Sequence, residues 1–156
     1  MNTRRPLFAL AVATAFGIGY VPVASGTFGS AAGLVFWWLL PSSAAAQAAA
    51  ILILLALGSW SGTIAERHFG TNDPSAVVID EVMGMLITLF MVPVGWAGAV
   101  FGFFLFRAAD VVKPFPANRL ERLPGGLGVM ADDGMAAIYA NLALRASLAI
   151  WHLVIR

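Results

Sequence analysis

The chain has 156 residues, 60% of them hydrophobic and 11% charged. With a mean hydropathy of +0.87, that balance excludes a soluble domain and predicts an integral membrane protein. A formal net charge of +1 excludes the basic surface of a nucleic-acid binder, and zero cysteines exclude disulfides, thiolate metal sites and a cysteine nucleophile.

In chain order, Arg4 and Arg5 precede an apolar stretch from Leu7 to Gly19. It is too short to span, so it is expected to lie in the interface or to re-enter on the same side. A signal-peptide reading, with Val23-Ala24-Ser25 as the cleavage site, is set aside. Gly26-Thr27-Phe28-Gly29-Ser30 leads straight into more membrane sequence, and Arg4 and Arg5 serve as an orientation signal. Ser30 to Leu40 is predicted as helix up to Pro41, and Ser42-Ser43 restart a helix to about Ala65, the two forming either a hairpin or one kinked helix. After the polar stretch Glu66 to Pro74, a helix is predicted from about Ser75 to Val92. Pro93 and Gly95 turn the chain into another, which reaches about Asp110. Lys113 to Met130 is the longest polar segment. Asp132 and Asp133 open a last helix that ends near Ile155, with Trp151 and His152 at the interface. The expected fold class is all-α: a polytopic membrane bundle of about five spanning helices plus a short N-terminal helix. The length leaves no room for a second domain of useful size, so residues 1–156 are read as one integral-membrane domain.

No charged side chain occurs from Pro6 to Ala65 or from Val82 to Phe106. The acids gather between these stretches, as Glu66 with Asp73, Asp80 with Glu81, Asp110, and Asp132 with Asp133. An ionisable group at a helix centre in a bilayer costs about 2.5–3.5 kcal/mol on insertion scales, so a functional role is its default reading. If Ser30 starts on one side, the turns at Pro41 and Pro93 fall on the other and every acid cluster returns to the first side. Arg67, Arg107, Lys113, Arg119 and Arg122 lie there too, which makes it the cytoplasmic face by the positive-inside rule. Arg145, deep in the last helix, is expected to be buried in the bundle or to snorkel.

Structural roles compete at several of these positions. Asp73-Pro74 also reads as a helix cap, Arg107-Asp110-Lys113 as a salt-bridge ladder on one helical face, and Asp132-Asp133 as an N-cap. Asp80-Glu81 has neither role, being placed about a turn and a half into an apolar helix. Gly26 to Ser30 and Gly125-Gly126-Leu127-Gly128 are turns, or backbone N–H groups that bind phosphate. Together, carboxylates suited to Mg²⁺, cationic side chains and glycine loops point to phosphate chemistry supported by a hard cation.

Gly26-Thr27-Phe28-Gly29-Ser30, Asp73 with Val78-Ile79-Asp80-Glu81 and Gly84, Phe106-Arg107-Ala108-Ala109-Asp110 with Lys113-Pro114-Phe115-Pro116, and Gly125 to Asp133 resemble, in order and spacing, the phosphatidylglycerophosphatase A family. The chain departs from the family's usual pattern at Ser25, where proline is usual, and at Ala137, where glycine is. The resemblance implies a Mg²⁺-dependent phosphatase of the bacterial inner membrane that converts phosphatidylglycerophosphate to phosphatidylglycerol.

With that resemblance in hand, Asp80, Glu81, Asp132 and Asp133 are the expected Mg²⁺ ligands. Arg107 and Lys113 are expected to bind the phosphomonoester, with Asp110 orienting them. Asp73 is a further ligand or the base, and Thr27 and Ser30 bind phosphate or glycerol hydroxyls. The catalytic set is therefore Asp73, Asp80, Asp110 and Asp133. Direct in-line attack by water and a carboxylate nucleophile both remain open. His68 and His152 are too few for a histidine-nucleophile phosphatase, and no Asp-x-Asp pair is present. The alternative class is a cation transporter or channel, which predicts mid-membrane carboxylates and an inverted repeat; no repeat is visible.

Overall fold

The computed structural model describes residues 4–154. The side chains of Arg4 and Arg5 and the expected helix end at Ile155 lie outside the described residues. The chain is helical throughout: α1 (Arg4–Ala13), a 3₁₀ turn (Ile18–Tyr20), α2 (Ser25–Leu39), α3 (Ala44–Phe69), α4 (Ile79–Leu89), α5 (Trp96–Val112), α6 (Ala117–Leu120) and α7 (Gly126–Val154), with no strand among the described residues.

Two helices are long and apolar enough to cross a membrane, α3 with 26 residues and α7 with 29. At 1.5 Å per residue they measure about 39 and 44 Å. Ser43 starts α3 by accepting a hydrogen bond from the Ala46 N–H at 3.2 Å, and Gly70, at φ 70°, ends it in the left-handed conformation that glycine adopts without strain. α1 has 10 residues and α4 has 11, so each rises only about 15–16 Å.

Several helix starts differ from expectation. α2 begins at Ser25 and not Ser30, α4 at Ile79 and not Ser75, and α7 at Gly126 and not Asp132, while α3 runs past Ala65 to Phe69. The chain breaks between α2 and α3, making a hairpin and not one kinked helix, because Leu40 is extended ahead of Pro41. Asp73 is therefore not the cap of α4, whose N-cap is Val78, and Asp132 and Asp133 lie inside α7, where neither caps it. Asp80 and Glu81 sit in the first turn of α4, not a turn and a half into it.

The helices alternate in direction. Ser25, Asp80, Arg107, Asp110 and Asp133 line one cleft, whereas Trp37, Trp38, Gln47, Met91 and Val94 line a cavity of about 580 Å³ elsewhere. Hence α2, α4 and α7 run away from the acidic end and α3 and α5 return to it. α4 is the central helix, packed between α2 and α7. Nine of its 11 residues are buried, including Met85, Leu86 and Leu89. Gly29 and Gly33 let α2 approach it closely: a Cβ at either would lie 2.8 Å from the Cβ of Val78 or Met85. Phe106 from α5 and Leu144 from α7 complete the same core.

Candidate active site

The acidic cleft has a volume of about 690 Å³ and is walled by the N-terminus of α2, the first turn of α4, the last turns of α5 and the second turn of α7. Asp80 and Asp133 are 5% and 4% exposed. One ligand oxygen from each of Asp80, Glu81 and Asp133 falls within 4.8 Å of the others, the one such group among the described residues. Glu81 Oε2 and Asp133 Oδ2 are buried with no hydrogen-bond partner among the described residues. Carboxylates packed this closely, with buried oxygens that lack partners, repel one another unless a cation or protons intervene. The donor set is oxygen alone, which suits a hard divalent ion and not a soft one.

Arg107 lies beside the cluster. Its Nη1 donates to Asp110 Oδ2 at 2.6 Å and stands 3.8 Å from Glu81 Oε1. Asp110 thus holds a guanidinium that lines the cleft, an arrangement that suits a phosphoryl group. Gly26 of α2 is packed against the same pair, and a Cβ there would collide with Glu81 Oε1.

Lys113 has a different setting. Its Nζ donates to Asp132 Oδ2 at 2.6 Å and to Glu121 Oε2 at 3.3 Å, and lies 4.0 Å from Asp73 Oδ2. Burial alone would lower the ammonium's pKa, but the bond to Asp132 and the charges of Asp73 and Glu121 outweigh it and hold the pKa above the ordinary lysine value. Asp73, in the α3–α4 connection, moves upward: burial raises its carboxyl, Lys113 opposes, and the carboxylates of Glu121, Asp110 and Glu66 add to the rise. Its side chain is still 41% exposed, which moderates the effect.

The structure brings Asp80, Glu81, Asp133, Asp110 and Arg107 together, with Asp73 and Lys113 on the cleft wall. Asp132 faces Lys113 and is outside the three-carboxylate group. Ser30 is fully buried and its hydroxyl donates to the Gly26 carbonyl at 2.8 Å; neither Ser30 nor Thr27 lines the cleft. Ser25 and Gly26 do, and the Ser25 hydroxyl ties α2 to the Ser75 carbonyl at 2.6 Å. Sequence reasoning also missed Glu121, the acid that stands apart from the clusters. Its signal was a carboxylate eight residues from Lys113 across Pro114 and Pro116.

Two helices long and apolar enough to cross a membrane and an acidic cleft at one end of the bundle define the class: an all-helical protein, suited to a membrane, with a carboxylate-lined site. The family model described as Phosphatidylglycerophosphatase A matches residues 11–148, and the chain belongs to that family. It is 33% identical over 130 residues to Phosphatidylglycerophosphatase A of Escherichia coli, covering 81% of this chain and 76% of the relative. It is 36% identical over 143 residues to the Haemophilus influenzae protein of the same name, covering 89% and 86%. A Bacteroides thetaiotaomicron protein provisionally named as a phosphatidylinositol-3-phosphatase is 37% identical over 151 residues, covering 90% and 94%. No solved structure matches the chain.

Proposed function

We propose that the protein is a Mg²⁺-dependent phosphatase that hydrolyses the terminal phosphomonoester of phosphatidylglycerophosphate, giving phosphatidylglycerol and inorganic phosphate. The observation that carries this reading is the group of Asp80, Glu81 and Asp133, with ligand oxygens within 4.8 Å of one another, beside the Arg107–Asp110 pair. Family membership and the names of the E. coli and H. influenzae relatives support the substrate.

Asp80, Glu81 and Asp133 would hold Mg²⁺, which when bound supplies positive charge against the phosphoryl oxygens. Arg107 binds the phosphoryl group and Asp110 fixes its guanidinium. Asp73 takes the proton of the attacking water, a role suited to a carboxyl whose pKa is raised. Lys113, braced by Asp132 and Glu121, keeps a positive charge at the cleft wall. Residues 1–156 act as one domain, multi-pass in the bacterial inner membrane, with α2, α4 and α5 completing the bundle around α3 and α7. The cleft faces the cytoplasm, supported by the arginines on its side of the molecule.

The name of the B. thetaiotaomicron relative favours a second reading, in which the lipid bears phosphate on an inositol ring. Phosphate release from the two lipids by detergent-purified protein, with Mg²⁺ or with excess EDTA, separates these readings. Release from phosphatidylglycerophosphate is expected to vanish with EDTA and to fall by about a hundredfold or more in Asp133→Asn, as for loss of a charge-stabilising group. A folded wild type that releases no phosphate from either lipid in Mg²⁺ sinks the proposal, and cation flux in liposomes then becomes the test.

A further inference from the structure

We propose that Asn141 and Arg145 are positioning residues: they lock the axial register of α4 against α7 and so hold Asp80 and Glu81 level with Asp133. The inference rests on the reading of those three acids as a cation site.

α4 ends at Leu89, within the bundle, and the last carbonyls of any helix lack partners within it. Here α7 supplies the donors. The two hydrogens of Asn141 Nδ2 are shared among the carbonyls of Ile87, Thr88 and Phe90, at 3.1, 2.9 and 3.1 Å. Arg145 Nη2 donates to those of Phe90 and Met91, each at 2.9 Å, and its Nε donates to Asn141 Oδ1 at 2.8 Å. From the other side, Gln47 Oε1 accepts the Met91 N–H at 3.2 Å. A positive charge also suits the negative end of the helix. Arg145 is thus neither buried nor free to reach away from the bundle; it is exposed and anchored to the end of α4.

Capping alone would be a structural role, but the geometry adds a second one. α4 and α7 run parallel, with their acids at the same end. Phe90 lies about 15 Å along α4 from Asp80, and Asn141 and Arg145 lie about 12 and 18 Å along α7 from Asp133, at 1.5 Å per residue. A slip of one residue, about 1.5 Å, breaks the clamp and separates the acids by far more than the roughly 0.2 Å that a metal site tolerates. Apolar packing between the two helices, with Met85, Leu89, Ala137, Ala140 and Leu144 in one core, is non-directional, and the hydrogen bonds add the directional contacts that fix the register.

The test is Mn²⁺ binding, followed by electron paramagnetic resonance, to the full-length protein in detergent without substrate. It is run beside melting midpoints and phosphate release against Mg²⁺ concentration. Asn141→Leu and the milder Arg145→Met are expected to weaken Mn²⁺ binding about tenfold or more, the usual cost of losing groups that orient metal ligands. The Mg²⁺ concentration for half-maximal rate rises in step, while KM for the lipid at saturating Mg²⁺ changes little. Arg145→Lys restores part of the binding. Leu144→Ala, which opens a cavity in the same turn of α7, is the control: it lowers the melting midpoint and leaves Mn²⁺ binding as in wild type. If Arg145→Met, or a folded Asn141→Leu, binds Mn²⁺ as wild type does, the lock is overturned while the site stands. A wild type that binds no Mn²⁺ overturns the reading of the site and the lock with it.

Discussion

Asp73 separates what a residue does for the fold from what it does for the reaction. Burial makes its carboxyl hold a proton more tightly in the folded chain than in the unfolded one, so the folded state binds more protons as this group titrates. Stability from this group is therefore lost, not gained, as pH rises from the ordinary carboxylate value of 3.8 through the raised one. Asp73→Asn is expected to leave the melting midpoint at neutral pH equal to or above wild type and to remove this part of the pH dependence. Asparagine also accepts the left-handed backbone at this position, where φ is 45°. Phosphate release is expected to fall by about a hundredfold or more, the scale of a lost general base. Melting curves across pH, paired with rates, check both halves. That Asp73, Asp80, Glu81, Asp110 and Asp133 share a cleft was legible in the sequence, because the cost of placing carboxylates in hydrocarbon leaves them few locations. That Asp132 turns to Lys113 was not, since adjacent residues on a helix point about 100° apart and only packing decides which of them faces the site.

Helix boundaries were the least legible level, and the caps explain it. α2 and α4 start after Ala24 and Val78, neither of which offers a side-chain cap, so no Ser, Thr, Asp or Asn marks either start. Ser30 and Ser75 carry that signal without the role. α3, capped by Ser43 and ended by Gly70, follows the ordinary rules at both ends. The packing of α2 on α4 gives a prediction at this scale. A methyl group at Gly33 would lie 2.8 Å from both the Met85 Cβ and the Val82 carbonyl oxygen, and the backbone oxygen cannot move aside. Gly33→Ala gains about 1 kcal/mol of helix propensity, and overpacking costs about 1–3 kcal/mol. With backbone as the obstacle the clash is expected to win, and a lower melting midpoint in detergent is the outcome to look for.

For the molecule as a whole, the alternation of helix directions was readable from the positions of Pro41 and Pro93 and the long uncharged stretches. The shortness of α4 was not: it starts only at Ile79, and its last turn, just ahead of Pro93, is held by α7 and α3 through Asn141, Arg145 and Gln47. The cleft also has two kinds of wall. Its floor is Asp80, Glu81, Asp133 and Arg107, whereas Tyr20 and Val111, 58% and 74% exposed, stand at its rim with Val21 and Pro22. For the proposed lipid substrate, a floor of charge under a greasy lip would admit the head from the side while the tails stay dissolved among their neighbours. An enzyme that worked in this way would have no reason to measure the tails. Rates in mixed micelles should then be nearly indifferent to acyl length at fixed surface concentration, and sensitive to the reach between the glycerol backbone and the terminal phosphate.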